Sequence, residues 1–158
     1  MKVLGVDPGT MATGYGVVQA TGIRTFQLVE CGVIRPDREA PLAERLRQVH
    51  EDLAALLARH RPEVLAVEEA FLAVNVRTTL VLGQARGVIL LAGAQAGVEL
   101  AEYSPAEIKK AVTGRGQALK PQVGFMVAQL LRLTHAPTPA DAADGCAVAL
   151  THLLRTGR

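Results

Sequence analysis

Apolar residues recur along the chain with two different periods, and the switches between them mark out the elements. Lys2 to Val6 is a short apolar run stopped by Asp7-Pro8-Gly9, and Gly14 to Val18 and Phe26 to Ile34 follow, separated by glycine-rich or polar breaks. Three short-linked strands of this kind predict an antiparallel meander. From Leu42 the apolar positions become Leu42, Leu46, Val49, Leu53, Leu56 and Leu57, one face of a helix, with Pro41 suited to its first position. Val64 to Val67, after Pro62, reads as a fourth strand running into Glu68-Glu69. Val76 to Ala96 has helical length and is apolar nearly all round, so it needs cover on more than one side, the sheet and a second subunit being the candidates. Val98 and Leu100 make a fifth strand. Ser104-Pro105-Ala106-Glu107 is a capping box with proline at the first helical position, and Gly114-Arg115-Gly116 ends the helix it starts. Pro121 to Leu133 resumes helical spacing, and a proline-containing stretch from Ala136 to Pro139 leads into a last helix through Leu154.

Three meander strands followed by helix, strand, helix, strand and a helical tail define a mixed α/β domain. The order resembles the ribonuclease H-like arrangement, a five-stranded mixed sheet flanked by helices. With 158 residues, 49% of them hydrophobic and 3% aromatic, the chain suits one domain over residues 1–158 with an aliphatic core. No repeat, low-complexity tract or linker divides it. Cys31 and Cys146 lie far apart, without a second Cys or His at metal-ligand spacing, and read as buried thiols of a reducing cytoplasm rather than a disulfide or zinc site. The apolar run at the N-terminus is too short for a signal peptide. Gly87 to Val98 falls short of the roughly 18 residues that cross a bilayer, so no membrane role is expected.

The acids carry the chemistry. Asp7 sits where the first strand leaves the sheet, in Gly5-Val6-Asp7-Pro8-Gly9-Thr10. By itself it is equally an Asx-type turn, and the same Asp-x-Gly-Thr string opens phosphate loops in actin-like kinases. Glu68 and Glu69 end the fourth strand on opposite faces, so only one of them can join Asp7. Asp141 and Asp144 share a face at the start of the last helix. Asp141 has a structural use in the capping box Thr138-Pro139-Ala140-Asp141, whereas Asp144, among Ala140, Ala143 and Ala147, would be costly against a sheet without a cation. If Asp7, Glu68, Asp141 and Asp144 converge, their hard oxygens suit Mg²⁺ or Mn²⁺. Two such ions about 3.5–4 Å apart can activate water and stabilise the leaving oxygen of a phosphodiester. No Ser-His-Asp or Cys-His nucleophile arrangement is evident.

Four strings in order, Gly5-Val6-Asp7-Pro8-Gly9-Thr10 with Thr13-Gly14-Tyr15-Gly16, Val67-Glu68-Glu69-Ala70-Phe71, Leu82-Gly83-Gln84-Ala85-Arg86-Gly87 and Ala140-Asp141-Ala142-Ala143-Asp144, resemble the RuvC family of Holliday-junction resolvases over nearly the whole chain. The resemblance implies that Asp7, Glu68, Asp141 and Asp144 are the metal-binding catalytic residues, selecting Glu68 over Glu69. It implies a homodimer that nicks two strands of a four-way DNA junction symmetrically in recombination and repair, with RuvA and RuvB as branch-migration partners. It also implies that Phe71 stacks on an unpaired base and that Lys109 and Lys120 touch DNA; Lys110 and Arg115 are basic residues nearby in the chain and are read as further DNA contacts. Gly145 and Cys146 stand where the family more often has Ala and Leu, a change expected to loosen packing.

Three other readings compete. A phosphotransferase of the actin-like class needs a second phosphate loop and domain, for which 158 residues leave no room. A related nuclease for another substrate and a catalytically silent junction-binding module are the remaining two, and the silent module has no use for a full carboxylate set. The formal charge of +2 excludes a strongly basic, histone-like binder. It is nevertheless unevenly spread: Tyr103 to His135 holds Lys109, Lys110, Arg115, Lys120 and Arg132 against Glu107 alone, a net of +4 that leaves −2 elsewhere. A basic segment beside an acidic metal site predicts salt-sensitive binding to phosphates.

Overall fold

The computed structural model describes residues 1–69 and 75–157. The elements run β1 (Lys2–Asp7), β2 (Thr13–Gly22), β3 (Thr25–Ile34), α1 (Leu42–His60), β4 (Val64–Glu68), α2 (Val76–Ala96), β5 (Glu99–Tyr103), α3 (Pro105–Thr113), α4 (Lys120–Leu130) and α5 (Ala140–Thr156). The sheet order is β3-β2-β1-β4-β5, antiparallel through the meander and parallel from β1 to β4 and β5. This is the ribonuclease H-like α/β fold, with helices on both faces of the mixed sheet.

Alternation along the central strands builds the two halves of the core. Leu4, Val6, Leu65 and Val67 point to one face, where α1 lays down Val49, Leu53, Leu56 and Leu57 and α2 adds Ile89 and Ala92. Val3, Val64 and Ala66 point to the other, against Ile108 and Val112 of α3, Val123 and Val127 of α4, and α5. Both faces being covered, β1 and β4 are apolar almost throughout, as parallel central strands require.

Helix α5 lies unusually close to the sheet, and glycine is the reason. A Cβ on Gly5 would collide with the backbone of Gly145 and Ala149, one on Gly14 with Asp141, and one on Gly145 with Tyr15. Gly145 therefore does not loosen the helix; it lets the backbones of α5 and β2 meet. A Cβ on Gly16 would stand 2.6 Å from the Cys146 sulfur. Cys31 is paired with Gly16 across the ladder, so both free thiols come together there, Cys146 buried and Cys31 only partly so.

Several local expectations shift. The Ser104 capping box forms in full, with the Ser104 N–H donating to Glu107 Oε2 (2.8 Å) and the Glu107 N–H to Ser104 Oγ (3.2 Å). The Thr138 box does not: Pro139 occupies the cap position of α5 and no side chain caps it, leaving Thr138 one residue too early. Pro41 likewise precedes α1 rather than opening it. The fifth strand is Glu99–Tyr103, because Gly97, at φ 68°, ends α2 and the turn carries through Val98. Helix α4 stops at Leu130, and Arg132 adopts φ 56°. Helix α2, taken whole, is long and apolar enough to cross a membrane, which the shorter Gly87–Val98 run is not. It packs one face on α1 and β5, burying Leu82, Ala85, Ile89 and Ala92, and leaves Val76, Leu80 and Leu91 exposed.

Candidate active site

The parallel register sets the first two acids. Val3 pairs with Val64 and Val6 with Val67, so Asp7 and Glu68 leave adjacent strand ends side by side on the face that α5 covers. Glu69 continues past the strand, its N–H donating to the Tyr103 carbonyl at 2.8 Å. Glu68, in step with Ala66 and Val64, thus shares the face of Asp7. Across from these ends, Asp141 and Asp144 project from the first turns of α5, brought within reach by the glycine contacts above. One carboxylate oxygen each from Asp7, Asp141 and Asp144 lies within 4.8 Å of the others. Glu68 is hydrogen-bonded to Asp7, and both line a cleft of about 240 Å³ with Asp144, Lys109 and Lys120.

So many acids in one half-buried cleft cannot all ionise without cations. Burial, then the hydrogen bond and charge of Glu68 and the charge of Asp144, push the Asp7 carboxyl up to about 9. Glu68 is raised as well, first by burial and also by the charge of Asp144, with the hydrogen bond to Asp7 and the charges of Lys109 and Lys120 opposing. The pair holds a proton at neutral pH. Lys120 supplies the nearest positive charge, its Nζ 3.0 Å from Asp144 Oδ2, and that contact raises the lysine in turn. A proton and an ammonium stand where a divalent cation fits: the donors are all carboxylate oxygens, a hard set matched to Mg²⁺ or Mn²⁺ rather than zinc.

The remaining expected site residues divide by position. Lys109 and Lys120 line the acidic cleft. Arg115 lines a neighbouring hollow, and Lys110 is exposed one residue further along α3. Phe71 lies outside the described residues. The histidines serve elsewhere: His152 is buried and bonds the Tyr103 hydroxyl (2.8 Å), His60 pairs with Glu30 (2.8 Å) and His50 with Gln95 (2.7 Å). Nothing in the sequence marked Lys120 as the counter-ion of Asp144, because their contact spans α4 and α5.

Known proteins bear on this arrangement. A family model described as "Crossover junction endodeoxyribonuclease RuvC" matches residues 3–152. A protein of that name from Pelotomaculum thermopropionicum is 51% identical over 152 residues, covering 96% of this chain and 92% of its own length. One from Azorhizobium caulinodans is 49% identical over 157 residues, covering 99% and 92%. Among solved structures, Thermus thermophilus RuvC in complex with a Holliday junction substrate superposes with a TM-score of 0.93 at 37% identity, covering 99% of this chain and 94% of that one.

Proposed function

The chain belongs to the RuvC family of crossover junction endodeoxyribonucleases and is a structure-selective nuclease of Holliday junctions, and we propose that Asp7, Glu68, Asp141 and Asp144 are the carboxylates that cut. The observation that carries this assignment is the convergence of Asp7, Asp141 and Asp144 within 4.8 Å, with Glu68 bonded to Asp7 in the same cleft. These four would hold Mg²⁺, two ions per site, with Mn²⁺ able to substitute. When bound, the metal supplies activation of water and charge stabilisation at a phosphodiester.

The protein's own part is positioning and charge. Asp7 and Glu68 are held by strands hydrogen-bonded in register, and Asp141 and Asp144 by a helix pressed on glycines, so the donors are rigid before substrate arrives. Lys109 and Lys120 draw a DNA phosphate to the mouth of the cleft, with Arg115 and Lys110 extending that positive surface. Phe71, just beyond Glu68, stacks on a base opened at the crossover. A silent junction-binding module would have no need of these crowded, half-buried carboxylates.

The substrate has two-fold symmetry, and a symmetric dimer answers it by nicking two strands of like polarity, leaving ends that ligase can seal. The exposed Val76, Leu80 and Leu91 of α2 support a second copy there. A bilayer suits that face less well, since Arg86 in mid-helix is paired to Glu102 at 2.6 Å. Action in the cytoplasm beside RuvA and RuvB, in recombination and repair, completes the reading, with residues 1–158 acting as a single nuclease domain.

Incubation of purified protein with a mobile four-way junction tests it. Mg²⁺-dependent conversion to paired nicked duplexes is the expected result, with Asp7→Asn binding but not cutting. Equal cleavage of linear duplex, or cutting by Asp7→Asn, overturns it.

A further inference from the structure

The chain has three phenylalanines. Phe26 is in the core, Phe71 follows the catalytic strand, and Phe125 is 62% exposed in the middle of α4. Val123 and Val127 carry that helix's core contacts, so Phe125 faces away from them by geometry and not by lack of room. Together with Pro121, one turn earlier, it forms a ridge between two hollows. The larger, about 420 Å³, is walled on its far side by Ala136, Pro137 and Thr138 and runs to Lys120 and Asp144, which also border the acidic cleft. The smaller, about 370 Å³, is bordered by Arg115.

We propose that Phe125 is a second base-stacking residue: the larger hollow receives an unpaired nucleobase from the strand whose phosphate lies at Asp144, stacked on the Phe125 ring. Two observations choose nucleic acid as the occupant. The hollow is continuous with the cleft through two shared residues, so a strand bound at Asp144 and Lys120 reaches it without a break. Cations stand on both sides of the ring, Lys120 at one hollow and Arg115 at the other, matching the polyanionic backbone on either side of a base. The interior itself is apolar, made of alanine, proline and the aromatic face, which suits a base better than a phosphate. Stacking of this kind tolerates any base, since each presents a π-face.

The inference rests on the junction-nuclease reading, and the experiment separates the two. Junctions carrying 2-aminopurine at successive positions around the cut site are bound in EDTA by wild type, Phe125→Ala, Phe125→Leu and Phe125→Tyr, and the same proteins are then assayed for Mg²⁺-dependent cutting. At one position near the cut, binding of wild type or Phe125→Tyr changes the 2-aminopurine emission from that of the free junction, whereas binding of Phe125→Ala or Phe125→Leu does not. Phe125→Ala also loses roughly five- to one-hundred-and-fifty-fold in junction affinity or cleavage rate. Thermal unfolding of the variants matches wild type, because the side chain is exposed. If wild type cuts and Phe125→Ala binds, changes the emission and cuts identically, the stacking role is wrong. Equal behaviour of Phe125→Leu and wild type reduces the ring to apolar packing and also overturns it. Should wild type bind without cutting, the nuclease reading fails while the fluorescence still decides on Phe125.

Discussion

Asp7→Asn is expected to stabilise the metal-free protein, and by an amount that grows with pH. Folding moves the Asp7 carboxyl from 3.8 to about 9 by burying it against Glu68 and Asp144. Because the folded value lies above the unfolded one, its contribution to stability is fully present below about pH 4 and is lost as pH rises toward 9. Each pH unit in that window costs about 1.4 kcal/mol, so raising the pH from 5 to 8 removes at most about 4 kcal/mol from wild type. Asparagine is neutral throughout and keeps an N–H to donate to Glu68, so the variant escapes this loss. At about 2–4 °C per kcal/mol for a domain of this size, the gap in Tm between variant and wild type widens by roughly 10 °C over that range. Thermal unfolding in EDTA at pH 5 and pH 8 measures it. Saturating Mg²⁺ at pH 8 should narrow the gap, since a ligand at a hundred times its Kd contributes about 2.7 kcal/mol to wild type and the variant has lost a donor. A gap that does not change with pH, or a variant less stable than wild type at pH 8 in EDTA, refutes the account of a proton trapped between buried carboxylates.

Three further outcomes follow from the packing and the charge. Gly145→Ala places a methyl into the backbone of Tyr15 and should lower stability by about 1–3 kcal/mol, seen as a reduced denaturation midpoint with an unchanged denaturant slope. On the proposed reading Lys120 meets a DNA phosphate, so with Lys120→Ala junction affinity should fall for all sequences alike and its log–log dependence on salt should become shallower by about one. Leu80→Glu puts a charge on the exposed face of α2, and sedimentation should show a dimer in wild type and a monomer in the variant.

Most of the element order was legible along the chain because it depends on local periods and caps. The apolar runs Lys2 to Val6 and Val64 to Val67, the stripe from Leu42 to Leu57, and the box at Ser104 each report structure within a few residues. The acids of the site were legible for a related reason: they terminate elements. An acid at a strand end is visible as a break in an apolar run, and Asp141 and Asp144 are neighbours on any helix that contains them. Where local signals failed, a proline or glycine had moved a boundary by a residue or two, as at Pro139, which takes the cap position expected of Thr138.

What only the tertiary structure decided concerns approach and pairing between elements distant in sequence. The parallel register of β1 and β4 places Asp7 beside Glu68, and no periodicity within either strand contains that register. Gly5 and Gly14 lie unmarked in strand runs and Gly145 reads as loosening its helix, yet all three are the contact surface that lets α5 carry two acids to the strand ends. Lys120 and Asp144 meet only because α4 folds back across α5. Phe125 is one more apolar residue in a helical run until the core faces are assigned; once Val123 and Val127 are buried, the ring has to face outward beside the cleft. Chain order sets which chemical groups are available, because each side chain's period is local; their distances belong to long-range packing, which no local pattern encodes.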